Sequence, residues 1–173
     1  VSILIISDTH GQIKEVQDVV DRHPADIILH CGDFCVDQKQ APFSKMKLVQ
    51  GNCDFEPVAK DRVTHWKDLI IYQTHGHLYD VKSSLMKLHY RAEEVGANVV
   101  LFGHSHFPVC EVERDILFIN PGSLMMPRGF RTPTYAVLDQ IGTDDFHIKV
   151  RVRFNDRQGQ EISERGGQFL VRR

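Results

Sequence analysis

The order in which six short polar clusters punctuate this chain constrains its fold more than any other feature. They are Asp8-Thr9-His10, Gly32-Asp33, Gly51-Asn52-Cys53-Asp54, His75-Gly76-His77, Gly103-His104-Ser105-His106 and Asn120-Pro121-Gly122-Ser123. Nearly all directly follow a short apolar run, beginning with Ile3-Leu4-Ile5-Ile6. Apolar runs of this length, bounded by turn residues, predict buried strands. Each cluster then occupies the loop beyond a strand's carboxyl end, where open α/β sheets assemble their ligand sites. Side chains remote in sequence are expected to converge on one crevice.

The chemistry of those side chains points to metal. Asp8 and Asp33 offer anionic oxygens, Asn52 a neutral carbonyl oxygen, and His10, His75, His104 and His106 imidazole nitrogens, seven donors in all. That is too many for one tetrahedral ion and suits a pair of divalent cations, which in two-metal hydrolases lie ~3.5–4 Å apart. A nitrogen and oxygen set without thiolate favours manganese, iron, zinc or nickel over magnesium or calcium. Two such ions against two ligand carboxylates leave a positive site, able to accept a phosphate anion and its developing charge.

Composition sets bounds on the rest. With 173 residues, 42% of them hydrophobic, and no composition shift along the chain, a single domain over 1–173 is expected. A formal charge of -2 gives no global basic field, so nucleic acid is not expected as an obligate partner. Val1 to Ile6 lacks a charged leader and cleavage site, and no apolar stretch approaches the ~18 residues of a transmembrane helix. A soluble, cytoplasmic protein without membrane contact is the expectation. Cys31, Cys35, Cys53 and Cys110 lack the dense spacing of a secreted disulfide scaffold, so reduced thiols are expected.

Periodicity supplies the elements. Ile13, Val16, Val19 and Val20 recur at helical spacing until His23-Pro24, and Leu85, Leu88 and Ala92 form a stripe in a helix expected between Val81 and Val95, with Gly96 as its cap. Strands are expected at 2–7, 27–29, 47–49, 62–66, 69–73 and 99–102, those at 27–29 and 47–49 as parallel neighbours. From Pro108 onward only strands remain, at 109–113, 116–119, 134–138 and 146–154, and Gln158 to Arg173 reads as a final strand or a frayed tail. An αβ-rich first half joined to a β-rich second half suggests two packed sheets with helices outside.

The ordered series D-x-H, G-D, G-N, H-G-H and G-H-x-H, with N-P-G-S downstream, resembles the calcineurin-like metallophosphoesterase family, in particular its small single-domain phosphodiesterase branch of YfcE type. The resemblance implies an α/β fold, a four-layer α/β/β/α sandwich. It implies one ion held by Asp8, His10, Asp33 and His106 and a second by Asp33, Asn52, His75 and His104, with manganese the first expectation and a bridging hydroxide as nucleophile. A small phosphodiester is the implied substrate, and a homo-oligomer is compatible with the family.

One position departs from the pattern. Many relatives carry Gly-Asn-His, where the His serves as general acid or phosphate-binding group; here the residue is Cys53. A thiol donates hydrogen bonds weakly and carries no positive charge. His77 is therefore a candidate to supply the proton, with an orienting or surface role as the alternative. Asp33, Asn52, Cys53 and His77 form the catalytic set. Arg128 and Arg131 are weaker candidates for gripping phosphate. Two other functions use the same fold: a protein-binding scaffold that has lost parts of the metal pattern, as in a subunit of the retromer complex, and a phosphomonoesterase or nucleotide hydrolase.

Overall fold

The computed structural model describes residues 2–173. Strand β1 (Ile3–Ile6) leads through the Asp8–His10 loop into helix α1 (Ile13–Arg22), followed by β2 (Ile27–His30) and the short β3 (Lys47–Leu48). The hairpin of β4 (Asp61–Trp66) and β5 (Leu69–Thr74) turns at Lys67-Asp68, and helix α2 (Met86–Val95) crosses to β6 (Val99–Leu101). A second hairpin, β7 (Val109–Glu113) with β8 (Ile116–Asn120), precedes three long-range partners of the first strand's sheet: β9 (Thr134–Thr143), β10 (His147–Asp156) and β11 (Gly167–Arg172).

Two mixed sheets result, one ordered β11-β10-β9-β1-β2-β3 and the other β4-β5-β6-β8-β7. Each contains a parallel set, β1-β2-β3 at one edge of its sheet beside antiparallel β9 and β5-β6-β8 flanked on both sides by antiparallel strands. The central strands read as continuous apolar runs because both of their faces are buried. Ile3 and Ile5 point between the sheets onto Ile71, Val99, Leu101 and Ile119. Leu4 and Ile6, on the opposite face, pack with Val16 and Val19 of α1. Tyr72, Val100 and Phe118 do the same for Leu88 and Ala92 of α2. Three apolar layers thus separate four layers of structure, the α/β/β/α sandwich expected.

Three features differ from the sequence expectation or refine it. The second helix begins at Met86, not Val81: Asp80 takes a left-handed φ of 53°, its carbonyl caps Ser83 and Ser84, and its carboxylate accepts the Ser83 hydroxyl at 3.0 Å. Such local bonds of Ser and Asp compete with helix. The late strands do not build a sheet of their own, because β9 pairs antiparallel with β1 and carries β10 and β11 outward. The C-terminal segment is an edge strand, and Arg165 just before it stacks over Phe107 and Phe130 at 5.0 and 4.7 Å, a cation–π clamp on the loop carrying His106. All four cysteines are free. Among the described residues no helix is long and apolar enough to cross a membrane.

Candidate metal centre

Every parallel strand of both sheets sends its carboxyl-terminal loop to one face, and the backbone there is bent in a shared way. Asp8, His10, Asp33, His104 and His106 have φ values of 53°, 44°, 59°, 69° and 62°. The left-handed region costs a non-glycine residue roughly 1–2 kcal/mol. Strain repeated at five polar residues persists only where the surroundings over-determine it. The β1 and β2 loops stay zipped past the strands, Asp8 N–H donating to Gly32 O, His10 N–H to Asp33 O and Gly11 N–H to Phe34 O, at 2.9–3.0 Å. Two glycines let the chain pass against the ligands. A Cβ on Gly51 would fall on the Asp33 carboxylate, and one on Gly103 would overlap Ser7 Oγ and lie 2.6 Å from Asp8 Oδ2.

Asp8, His10, Asp33 and His106 each bring one donor atom into a group within 4.8 Å of one another, an arrangement capable of holding a metal ion. His106 donates from Nδ1 to Met126 O at 2.7 Å, which turns Nε2 toward Asp8 Oδ1 at 3.0 Å. That separation would suit a shared proton, yet a neutral ring with Nδ1–H committed presents a lone pair to a second lone pair. Asp8 Oδ1 and His10 Nε2 are both buried without a hydrogen-bond partner. Buried polar atoms are rarely left so, and a cation between them is the group that would satisfy them. The donor chemistry and the orphaned atoms together fit a divalent metal.

Beside this cradle lie the remaining predicted residues. His75 donates from Nδ1 to Cys31 O at 2.7 Å, leaving Nε2 facing Asn52 Oδ1 at 3.0 Å, Asp33 Oδ2 at 3.3 Å and Asp8 Oδ1 at 3.8 Å. The His104 ring stands 5.1 Å from the His75 ring, edge-on. His77 is 5.4 Å from His75, centroid to centroid, with Nδ1 buried and unpartnered. Cys53 is exposed, its N–H bound to Asp33 Oδ1 at 2.8 Å and its sulfur 3.5 Å from Asn52 Nδ2. Cys35, also exposed, places its sulfur 3.8 Å from His10 Nδ1. All nine predicted site residues therefore meet at one face.

Electrostatics at this face follow from burial and from the crowding of charges. Burial opposes ionisation of Asp8, but the His106 contact and the His75 charge outweigh it and hold the carboxyl below its ordinary range. Burial likewise opposes ionisation of Asp33, where His75 reverses the sign again. Burial would lower His75, yet Asp33 and Asp8 raise it. His104 is brought down to about 4 by burial and then by the His75 charge. Burial first, then the neighbouring Asp33 charge, pushes the Cys53 thiol up.

Several residues outside the predicted ligand set position it: His30 has no motif of its own, while Asp54 and Ser123 belong to polar clusters whose positioning role the sequence does not show. Asp54 accepts from Asp33 N–H and Gly51 N–H with one oxygen, at 2.7 and 2.8 Å, and from Cys35 N–H with the other at 2.8 Å, fastening two loops together. Fully buried His30 accepts from Gly32 N–H at 3.1 Å, which fixes the tautomer that donates to Thr9 Oγ1 at 2.9 Å. Ser123 donates to Asp8 O at 2.7 Å and accepts from Met126 N–H, linking the Asn-Pro-Gly-Ser turn to both Asp8 and the carbonyl that orients His106. Arg128 reaches the site only through its backbone, bonded to His106 O, and Arg131 lines a separate cavity of about 750 Å³ with Asp156, Glu161 and Glu164.

Comparison with known proteins agrees with this geometry. Residues 1–142 match the model of the calcineurin-like phosphoesterase superfamily domain. YsnB of Bacillus subtilis strain 168, described as a probable metallophosphoesterase, is 42% identical over 167 residues, spanning 94% of this chain and 95% of its own length. A crystal structure of a predicted phosphoesterase from Streptococcus pneumoniae TIGR4 superposes with a TM-score of 0.88 at 34% identity, covering 98% of this chain and 97% of that one. The phosphodiesterase YfcE of Escherichia coli K12 is 25% identical over 189 residues, spanning 88% of this chain and 98% of its own.

Proposed function

We propose that this chain, which belongs to the calcineurin-like phosphoesterase superfamily, is a metal-dependent phosphodiesterase of the YfcE-type branch. The observation that carries the reading is the buried donor cluster of Asp8, His10, Asp33 and His106, with Asp8 Oδ1 and His10 Nε2 lacking any partner. In this reading a first ion takes those four residues and a second takes Asp33, Asn52, His75 and His104, Asp33 being shared. When bound, two divalent cations, manganese first among them, would supply an activated water and offset phosphate charge.

The chain's own residues do the remaining work. Cys31 O and Met126 O hold the Nε2 atoms of His75 and His106 toward the site, as outer hydrogen bonds do for metal-ligating histidines. Asn52 contributes an oxygen without charge, so the face keeps a net positive field for an anionic ester. Cys53 stands where a cationic imidazole would assist, and it brings neither positive charge nor strong donation. A dianionic monoester loses more by that substitution than a monoanionic diester, which supports the diester preference. His77, whose ring adjoins those of His75 and His104, is the candidate proton donor to the departing alcohol.

The test is hydrolysis of matched chromogenic diester and monoester substrates by metal-stripped protein, with manganese, nickel, zinc or magnesium added back. Metal-dependent turnover favouring the diester is expected. Faster monoester turnover would keep the enzyme and overturn the preference. Folded protein that binds two ions but turns over neither would shift the reading to a protein-binding scaffold or to a narrowly selective enzyme.

A further inference from the structure

The loop that follows Asn52 displays a side chain that the metal centre does not use. Phe55 is 99% exposed, the most exposed of the large apolar residues. Flanking residues hold it out: Asp54 is fixed by three backbone N–H groups, while Glu56 accepts from Gln38 N–H at 2.6 Å and its carbonyl from Gln50 Nε2 at 3.1 Å. The backbone on both sides of Phe55 is thus anchored, and the ring projects from it with its faces open.

That place is the wall of a cleft of about 270 Å³ lined by Cys35, Val36, Asp37, Phe55 and Glu56. Cys35, one of the lining residues, lies with its sulfur 3.8 Å from Nδ1 of the candidate ligand His10, so the cleft borders the metal face. Val36 packs on the core beneath it. The volume, just below the ~300–1,000 Å³ of small-molecule pockets, suits one ring system. The polar groups are two carboxylates, each with one oxygen already accepting, from Lys39 N–H at 2.8 Å and from Gln38 N–H, and one left free. Free carboxylate oxygens accept from a donor-bearing edge and repel a further phosphate.

Resting on the phosphodiesterase reading above, we infer that Phe55 and this cleft bind the nucleobase of a nucleoside phosphodiester whose phosphate lies at the metal face. Stacking on Phe55 supplies affinity without regard to base identity. Asp37 and Glu56 favour a base presenting adjacent N–H donors, guanine above all, and disfavour substrates carrying a second phosphate on that side.

The trifluoroethyl phosphate diesters of guanosine and of methanol share a ring-free leaving group that fluorine NMR can follow. Wild-type protein with manganese should turn over the guanosine diester with the higher kcat/KM. Phe55→Ala should lower that value about tenfold, as loss of one base stack does, and leave the methyl diester unchanged, while Phe55→Trp retains the preference. Equal loss on both diesters, or no preference in the wild type, would overturn the cleft assignment and leave the phosphodiesterase standing. If neither diester is turned over, the phosphodiesterase reading fails and binding decides the cleft by itself. Guanosine monophosphate should shift the Phe55 ring resonances of the wild type and bind Phe55→Ala more weakly; an unshifted ring overturns the inference.

Discussion

The two halves of the candidate metal face are built differently. Of the four residues of the inner half, Asp8, Asp33 and His106 are buried and each tied to another loop by hydrogen bonds, while His10 is partly exposed; all four carry left-handed backbone, as His104 of the other half also does. In the other half only His75 is buried to the same degree, whereas Asn52 and Cys53 are exposed and His104 is half-buried. The inner half is over-determined and the outer half adjustable. This contrast locates where a chain of this fold can vary its chemistry without losing the site, and the departure at Cys53 falls on the adjustable side. It also orders the affinities expected of the two proposed ions, inner tighter than outer.

Asp33 is the residue common to both halves, so Asp33→Ala should erase the distinction. Both ions are expected to be lost by calorimetric titration with manganese, and diester turnover to fall on the order of a thousandfold. A variant that keeps one ion would show the halves to be independent. The next test separates them: His106→Ala should abolish the tighter binding event and His104→Ala only the weaker one. Should both substitutions weaken the same event, the division into halves is wrong.

A smaller effect probes how the inner half is held. Ser123→Ala removes the hydroxyl that joins Asp8 O to the Met126 segment. The tighter affinity should fall about 10- to 100-fold, as for other residues that orient ligands from outside the coordination shell, with the weaker one unmoved. The smallest effect concerns pH. Burial, its main cause, lowers His30 to about 3, so folded protein keeps this ring neutral. Between its ordinary range near 6.5 and that value the unfolded chain binds the extra proton, and stability falls as pH falls through that window. Denaturant midpoints of His30→Leu should therefore decline less steeply than those of the wild type on acidification from pH 6.5 toward 3.

Much of the site was legible because strand-end clusters carry their chemistry in residue type. Asp8-Thr9-His10 and Gly103-His104-Ser105-His106 follow apolar runs whose burial on both faces is itself a sequence pattern, and the loops after parallel strands must converge. The parts that were not legible depend on contacts across the fold. His30 ends an apolar strand and looks like any buried histidine until Gly32 N–H and Thr9 Oγ1 are seen on its two nitrogens. Asp54 reads as a turn residue, and its work on Asp33 and Cys35 appears only when the two loops are side by side. The start of α2 was misplaced because Asp80, Ser83 and Ser84 favour a turn that the apolar stripe does not report.

The pairing of β1 with β9 fixes when the site can exist during synthesis. Ile3 lies opposite Leu138, and Asp8 is braced by Ser123, so the first of the six clusters to leave the ribosome is among the last of them to be set in place. Until β9 emerges, β1 keeps an open edge beside the Asp8–His10 loop, exposed to pairing with other chains. Closure waits on a contact of high sequence separation, the kind that slows folding. The earliest of the six clusters to be made is thus completed by one of the latest segments of the chain.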